Sequence, residues 1–318
     1  MNNFKKIGLT ALAGSLIATS AFAGSMSVGG SAGISYGNSS NYDRGNTWSS
    51  GDSLTFTGSG ELDNGMSVTT YQEIDGGTLD DRNFSVEMDG LGKMTFHAHG
   101  GGTAMSAVDD TTPTAYGESW DLIGHTASAA STSKTTGQAD KEGAIGGFGT
   151  NNSFMYNAPE MVDGLGVNVS YTPSGNSTST GAESTTKLAR PDGTVSWALS
   201  YTGVEGLTIG YAVDDNGFNG TSKLETEVMQ AKYAFGSFTV GFTESSQDQS
   251  GATAGDDDFS AHGITYQVSD DLTIGYNTSE RQFGDKTADQ ESASLSVSYT
   301  SGGMTVAGAM VSMDNVGG

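Results

Sequence analysis

The chain has 318 residues with 48 Gly, 4 Pro and no Cys, a composition that disfavours a helical protein. Without cysteine it has no zinc–thiolate or thiol redox chemistry. Its formal charge of −24 argues against binding nucleic acid or anionic lipid through a basic face. The length suits one large all-β domain or two smaller domains.

The first 23 residues have the organisation of a secretory signal peptide. Lys5 and Lys6 precede an apolar stretch (7–18), and an Ala-Phe-Ala cleavage motif ends the segment. The apolar stretch is too short for a membrane-spanning helix. We therefore expect residues 24–318 to form the mature chain, in which 11 Lys and Arg against 37 Asp and Glu leave a formal charge of −26.

Most of the mature chain alternates between apolar residues and small or polar residues. In LTIGYAV (207–213) one parity carries Leu, Ile, Tyr and Val, and the pentapeptide LTIGY recurs at 272–276. Because alternate residues of a strand point to opposite faces of a sheet, this period predicts strands with one apolar face. We count about fifteen such segments of roughly 8–11 residues, a length that crosses a bilayer. Clear examples are 165–171, 195–201, 238–242 and 293–299.

The connections between these segments are alternately short and long, as in a barrel of the outer-membrane type. The short turns are 63–65, 89–92, 204–206, 269–271 and 301–303, and the long acidic connections are 173–191, 215–224, 247–257 and 281–290. The apolar parity also ends repeatedly in tyrosine, as an interfacial girdle requires. A soluble β-sandwich also alternates, but these two features favour a transmembrane antiparallel β-barrel with a wet interior.

The stretch 52–100 and the hairpins at 152–312 resemble the general-diffusion porins of Gram-negative bacteria, of the alphaproteobacterial type. The resemblance implies a passive outer-membrane channel for small hydrophilic solutes and ions, with 16 strands, no cofactor and a homotrimeric assembly. It also implies a loop that folds into the barrel and narrows the pore, and the long connection at about 100–151 lies where that loop belongs. Because this chain ends in MDNVGG rather than in an aromatic-terminated strand, we expect one further strand beyond Gly318.

Candidate pore residues lie just before and within this long connection. In KMTFHAH (93–99) the Lys and both His residues have the polar parity, whereas Arg82 shares the parity of Phe84 and belongs at the rim. The candidate wall residues are Lys93, His97, His99, Arg82 and Arg44, and those of the constriction loop are Asp109, Asp110, Glu118 and Asp121. The resemblance implies loop acids facing wall bases, a field that sorts ions by charge. The net charge favours cations.

Several alternatives remain open. His97 and His99 at i, i+2 could bind a metal, but no third ligand is evident. The runs 214–215 and 256–258 could hold Ca²⁺ or Mg²⁺ in external loops, although solvated charge is the simpler interpretation. A hydrolase needs a base and an orienting group beside its nucleophile, and with four His in all an enzyme is disfavoured. A substrate-specific channel, or a structural or adhesive barrel without transport, is the alternative function.

Overall fold

The computed structural model describes residues 24–37, 47–108, 112–120, 151–173, 193–216, 224–249, 256–284 and 287–315. The predicted signal peptide, Arg44, Asp109, Asp110 and Asp121 lie outside the described residues. No helix in the described part of the chain is long and apolar enough to cross a lipid bilayer.

Fifteen antiparallel strands form one sheet, and each strand pairs with its neighbours in chain order. The strands are β1 (Ser25–Gly37), β2 (Thr47–Glu61), β3 (Ser67–Asp75), β4 (Thr78–Met88), β5 (Gly92–His99), β6 (Ser153–Asn157), β7 (Leu165–Thr172), β8 (Thr194–Tyr201), β9 (Leu207–Asn216), β10 (Leu224–Phe235), β11 (Phe238–Gln249), β12 (Asp257–Gln267), β13 (Leu272–Gln282), β14 (Gln290–Ser301) and β15 (Met304–Asp314). A 3₁₀ helix at Ala104–Ala107 is the one helical element among the described residues. The predicted count of about fifteen strands is confirmed.

The two outermost strands, β1 and β15, do not pair with each other in the described residues, so the sheet is not closed there. The expected total of 16 strands, with one more strand beyond Gly318, stays a prediction. Every pair of neighbouring strands is antiparallel, as in the hairpin plan that the alternating short and long connections predict.

The strand register separates a polar face from an apolar face. One row crosses β7 to β11 through five buried polar side chains, Ser170, Ser196, Asp214, Thr226 and Gln247. The next row on the opposite face carries Val169, Trp197 and Val213, and the first two are 41% and 38% exposed. Buried polar and exposed apolar side chains invert the pattern of a soluble protein, as a barrel in lipid requires.

Two irregularities interrupt the alternation near the long connection. One lies between Gln72 and Ile74 of β3, where β4 carries an extra residue. In the other, Arg82 pairs with His99 and the next residue, Asn83, pairs with His97, which leaves Ala98 extra on β5. Because a bulge shifts the alternation by one residue, the strict alternation predicted through KMTFHAH does not continue past His97.

Candidate functional site

Residues 100–108 and 112–120, which we call the inward segment, lie against the polar face of the sheet. The hydrogen bonds that hold it there join Ala104 N to Ser170 Oγ and Ser196 Oγ at 2.9 Å, Thr112 Oγ1 to Thr243 Oγ1 at 3.1 Å, Ala115 N to Ser296 Oγ at 3.2 Å, and Ser119 Oγ to Ser292 Oγ at 2.6 Å. These contacts reach from β7 to β14. The segment therefore crosses the interior side of about half of the strands.

The 3₁₀ helix of the inward segment sits on an apolar patch of the wall. Ala104, Met105 and Val108 pack with the wall residues Ala198, Ala212 and Val228, and all six are at most 1% exposed. An apolar Val228 departs from the Thr and Gln residues on its own face of β10, Thr226 and Gln230. The departure is explained by the helix that covers it, because an apolar contact excludes water from both partners.

A second contact lies at the far end of the segment. The Trp120 ring packs edge-on against Phe259 of β12, with ring centroids 5.0 Å apart. On the same face, Arg281 Nη2 donates to Asp257 Oδ2 at 3.1 Å, and the guanidinium lies 5.0 Å from the centre of the Phe283 ring. Arg281 is only 2% exposed, so the pair is buried in the interior of the sheet.

Sequence reasoning missed Arg281 as an interior residue, although its signal was present. Leu272, Ile274 and Tyr276 mark the apolar parity of β13, so odd-numbered residues of the strand face the interior. The partner, Asp257, was grouped with its neighbours as a loop acid. Only the register of β12 and β13 brings the two side chains together.

Three carboxylates gather where the inward segment leaves β5. The oxygens of Glu73, Asp80 and Asp81 lie within 4.8 Å of one another. Glu73 accepts hydrogen bonds from Tyr71 Oη at 2.7 Å and from Ser53 Oγ. Oxygens of this kind suit hard cations, and three neighbouring carboxylates concentrate negative potential on the wall.

This acidic group adjoins the first residues of the inward segment. The ring Nδ1 of His99 is hydrogen-bonded to the Asp80 carbonyl oxygen, and a Cβ added at Gly100 would overlap the Asp81 carboxylate. The bulge in β4 is what places the two aspartates beside Glu73. No pattern in the sequence marks that bulge, so sequence reasoning did not find the group.

The predicted wall residues of β5 lie at different positions along the strand. Lys93 is exposed on the face of the buried Thr95, opposite Glu87, and His97 is opposite Asn83 on the same face. Four residues of strand separate Lys93 from His97, about 13 Å. His97 and His99 therefore lie near the inward segment, whereas Lys93 lies near the short turn after β4. Their role in the pore stays a prediction.

Two other predicted residues fall within the described part of the chain. Arg82 pairs in register with Gln72 and His99 and shares the parity of the exposed Phe84. Glu118 is half-buried in the inward segment, beside the buried Ser119. The structure thus brings Glu118 onto the interior face and places Arg82 within β4, on the face of Phe84. Whether either lines the pore stays a prediction.

Four of the five acidic residues predicted as loop cation ligands belong to strands, and Asp256 directly precedes β12. Asp214 and Asp215 lie in β9, and Asp257 and Asp258 lie in β12. Successive residues of a strand point to opposite faces, so the carboxylates of each pair diverge and do not converge on one ion. This corrects the placement of these residues in external loops.

An antiparallel sheet with an apolar outer face, and a polar inner face partly covered by its own chain, defines an outer-membrane barrel. The chain belongs to the Gram-negative porin family, whose model matches residues 8–318. It is an outer-membrane protein and a diffusion channel of that class. The alphaproteobacterial type is not distinguished by this match and stays a prediction. A search of curated proteins found no match.

Solved porins share the fold at low sequence identity. A porin structure is 15% identical with a TM-score of 0.62, over 91% of this chain and 95% of that one. An anion-selective porin from Comamonas acidovorans is 12% identical with a TM-score of 0.64, over 91% and 88%. The trimer form of OmpT, an outer membrane protein of Vibrio cholerae, is 13% identical with a TM-score of 0.60, over 92% and 89%.

Proposed function

We propose that the chain forms a passive pore for small hydrophilic solutes and ions, that the pore prefers cations, and that it works without a cofactor or a catalytic step. The inward segment, which includes Glu118, is the proposed constriction loop. The group formed by Glu73, Asp80 and Asp81 carries the cation preference. Among the described residues that face the interior, Arg281 is paired with Asp257 and Lys93 lies opposite Glu87, whereas Lys232 of β10 shares the face of Gln230.

Conductance across a planar bilayer under a salt gradient tests this proposal. Uniform conductance steps with a reversal potential that favours cations would support both the pore and its selectivity. A reversal potential that favours anions would refute the cation preference but not the pore. Folded protein without conductance would favour a structural or adhesive barrel, and block by one solute at low concentration would favour a substrate-specific channel.

Neutralising the wall carboxylates is expected to weaken the cation preference. In water, one carboxylate attracts a monovalent cation about 6 Å away by roughly 0.7 kcal/mol. That energy corresponds to about a threefold rise in the local cation concentration. Because the same potential lowers the local anion concentration by the same factor, Glu73→Gln and Asp81→Asn should each lower the cation-to-anion permeability ratio by up to about tenfold, with the largest effect at low salt. Glu280→Gln on the outward face of β13 removes the same charge and is the control. Equal effects of all three variants would contradict the assignment.

We further propose a homotrimer, assembled through the outer face of the first strands. Met26, Val28 and Ile34 of β1 are 60%, 49% and 79% exposed, and glycines Gly58 and Gly60 of β2 lie on the same face. Small and apolar side chains allow close approach of two such faces. Unheated protein should migrate in detergent gels at three times the mass of the heated chain, and migration only as a monomer would contradict the proposal.

A further inference from the structure

Four glycines of the wall lie directly beneath the inward segment. They are Gly210 of β9, Gly241 of β11, Gly263 of β12 and Gly275 of β13, and Gly241 and Gly263 are register partners. A Cβ at Gly210 would lie 2.6 Å from Val108 Cγ1, and one at Gly275 would lie 2.7 Å from Ala115 N. Ordinary Cβ contacts are 3.4–4 Å. The segment therefore occupies space that any other residue would fill.

The strands themselves do not require glycine at these four positions. All four lie inside strands, and none has the positive φ that marks the turn glycines of this chain, such as Gly206 at 75°. Glycine inside a strand lowers its stability and often marks close approach of another backbone. At Gly263 and Gly275 the approaching backbone is that of the inward segment, whereas at Gly210 and Gly241 side chains of the segment approach.

The two copies of LTIGY gain a specific meaning from this arrangement. Gly210 and Gly275 are the glycines of the two copies, and each faces the interior in a strand that follows a short turn. The first copy faces Val108 and the second faces Ala115. The repeated pentapeptide thus supplies two of the four glycines at which the wall has no side chain and the segment can lie close to it.

We propose that these four glycines determine the width of the pore by allowing the inward segment to lie against the wall rather than closer to the pore axis. The proposal rests on the proposed channel function and names the positioning residues within it. A side chain at any of the four positions would displace either the segment or the neighbour that it meets, and the kind of neighbour decides which.

The four positions differ in which atoms a new methyl group would meet, so the alanine variants are expected to differ in how far they displace the segment. At Gly263 it would press on the Pro113 carbonyl oxygen and lie 3.0 Å from Pro113 N, and at Gly275 it would meet Ala115 N. Those are backbone atoms, so the segment itself has to move. At Gly210 it would meet the side chains of Val108 and Gln230 and no backbone atom, and rotation of the Gln230 side chain can relieve part of the overlap.

The experiment compares Gly263→Ala and Gly275→Ala with Gly210→Ala and with Gly308→Ala. Gly308 lies inside β15, and a methyl group added there would have no neighbouring atom within 4 Å, so it controls for the general effect of alanine in a strand. Single-channel conductance should fall in the first two variants, fall less in Gly210→Ala and stay at the wild-type value in Gly308→Ala. Two backbone-contacting variants keep the test decisive if one of them fails to fold.

A distance measurement separates this proposal from the channel function. The chain has no cysteine, so spin labels can be placed at Tyr116→Cys in the inward segment and Thr57→Cys on β2, across the interior. Gly263→Ala should shorten the distance between the labels. If Gly263→Ala shortens the distance but the chain with its four glycines intact does not conduct, the positioning role is supported and the channel function is refuted. An unchanged or longer distance in both backbone-contacting variants would overturn the proposal.

Discussion

Replacing Met105 by Asp is expected to release the first half of the inward segment from the wall and to raise the single-channel conductance. Met105 is fully buried against Ala198, Ala212 and Val228. Placing an ionised carboxylate there without a partner costs several kcal/mol, and the substitution also removes about 2–5 kcal/mol of apolar packing. Ala104 N shares its one hydrogen between Ser170 Oγ and Ser196 Oγ, and this bifurcated bond contributes only about 1 kcal/mol, so it cannot hold the helix in place.

Ser106→Asp is the matched control for this variant. Ser106 is the next residue of the same 3₁₀ helix and is exposed, so it accepts the same charge in water. Planar-bilayer recordings should show larger steps for Met105→Asp than for Ser106→Asp, which adds the same charge without displacing the segment. Equal steps in the two variants would mean that the buried contacts of Met105 do not hold the segment in the pore.

Replacing Asp257 by Asn is expected to destabilise the folded barrel by up to about 3–5 kcal/mol, because it removes the carboxylate that pairs with a buried guanidinium. The guanidinium that stays behind is that of Arg281, which is 2% exposed. Asn keeps the shape of the side chain and can still accept the hydrogen bond from Gly284 N. The effect therefore isolates the charge.

Unfolding of the detergent-solubilised barrel in guanidinium chloride measures this change as a shift of the midpoint. Asp258→Asn removes the adjacent carboxylate, which faces outward, and should change stability little. The double variant Arg281→Met with Asp257→Asn should lose less than the two single variants together, since it removes both members of the ion pair at once. Additive losses would show that the two side chains are not coupled.

The faces of the strands could be predicted from the sequence residue by residue. The alternation in 165–171 and 293–299 matches β7 and β14, and the short turns match the ends of these hairpins. Such local patterns are readable because a strand has a period of two whatever lies beside it. Tyr276 shows the limit of the pattern, because it pairs with Leu295 in mid-strand, so the tyrosine that ends the apolar alternation does not mark the end of the strand.

The candidate site was less predictable because its parts meet only through register and bulges. Glu73 and Asp81 become neighbours through a bulge between β3 and β4, and Ala98 displaces His99 from strict alternation. Asp257 finds Arg281 through the pairing of two strands, 24 residues apart in the chain. A one-residue change in pairing alters such contacts completely, and no local pattern specifies it.

The sequence by itself determined that this protein is a barrel with an apolar outside and a polar inside, because the two-residue period and the alternating connections depend on local composition. Only the tertiary structure decided which part of the inner face is covered. Met105 rests on Val228 and Ala115 rests on Gly275, more than 100 residues away in the chain. Such contacts arise when a long connection finds the wall that fits it, and the fit exists only after the strands have assembled.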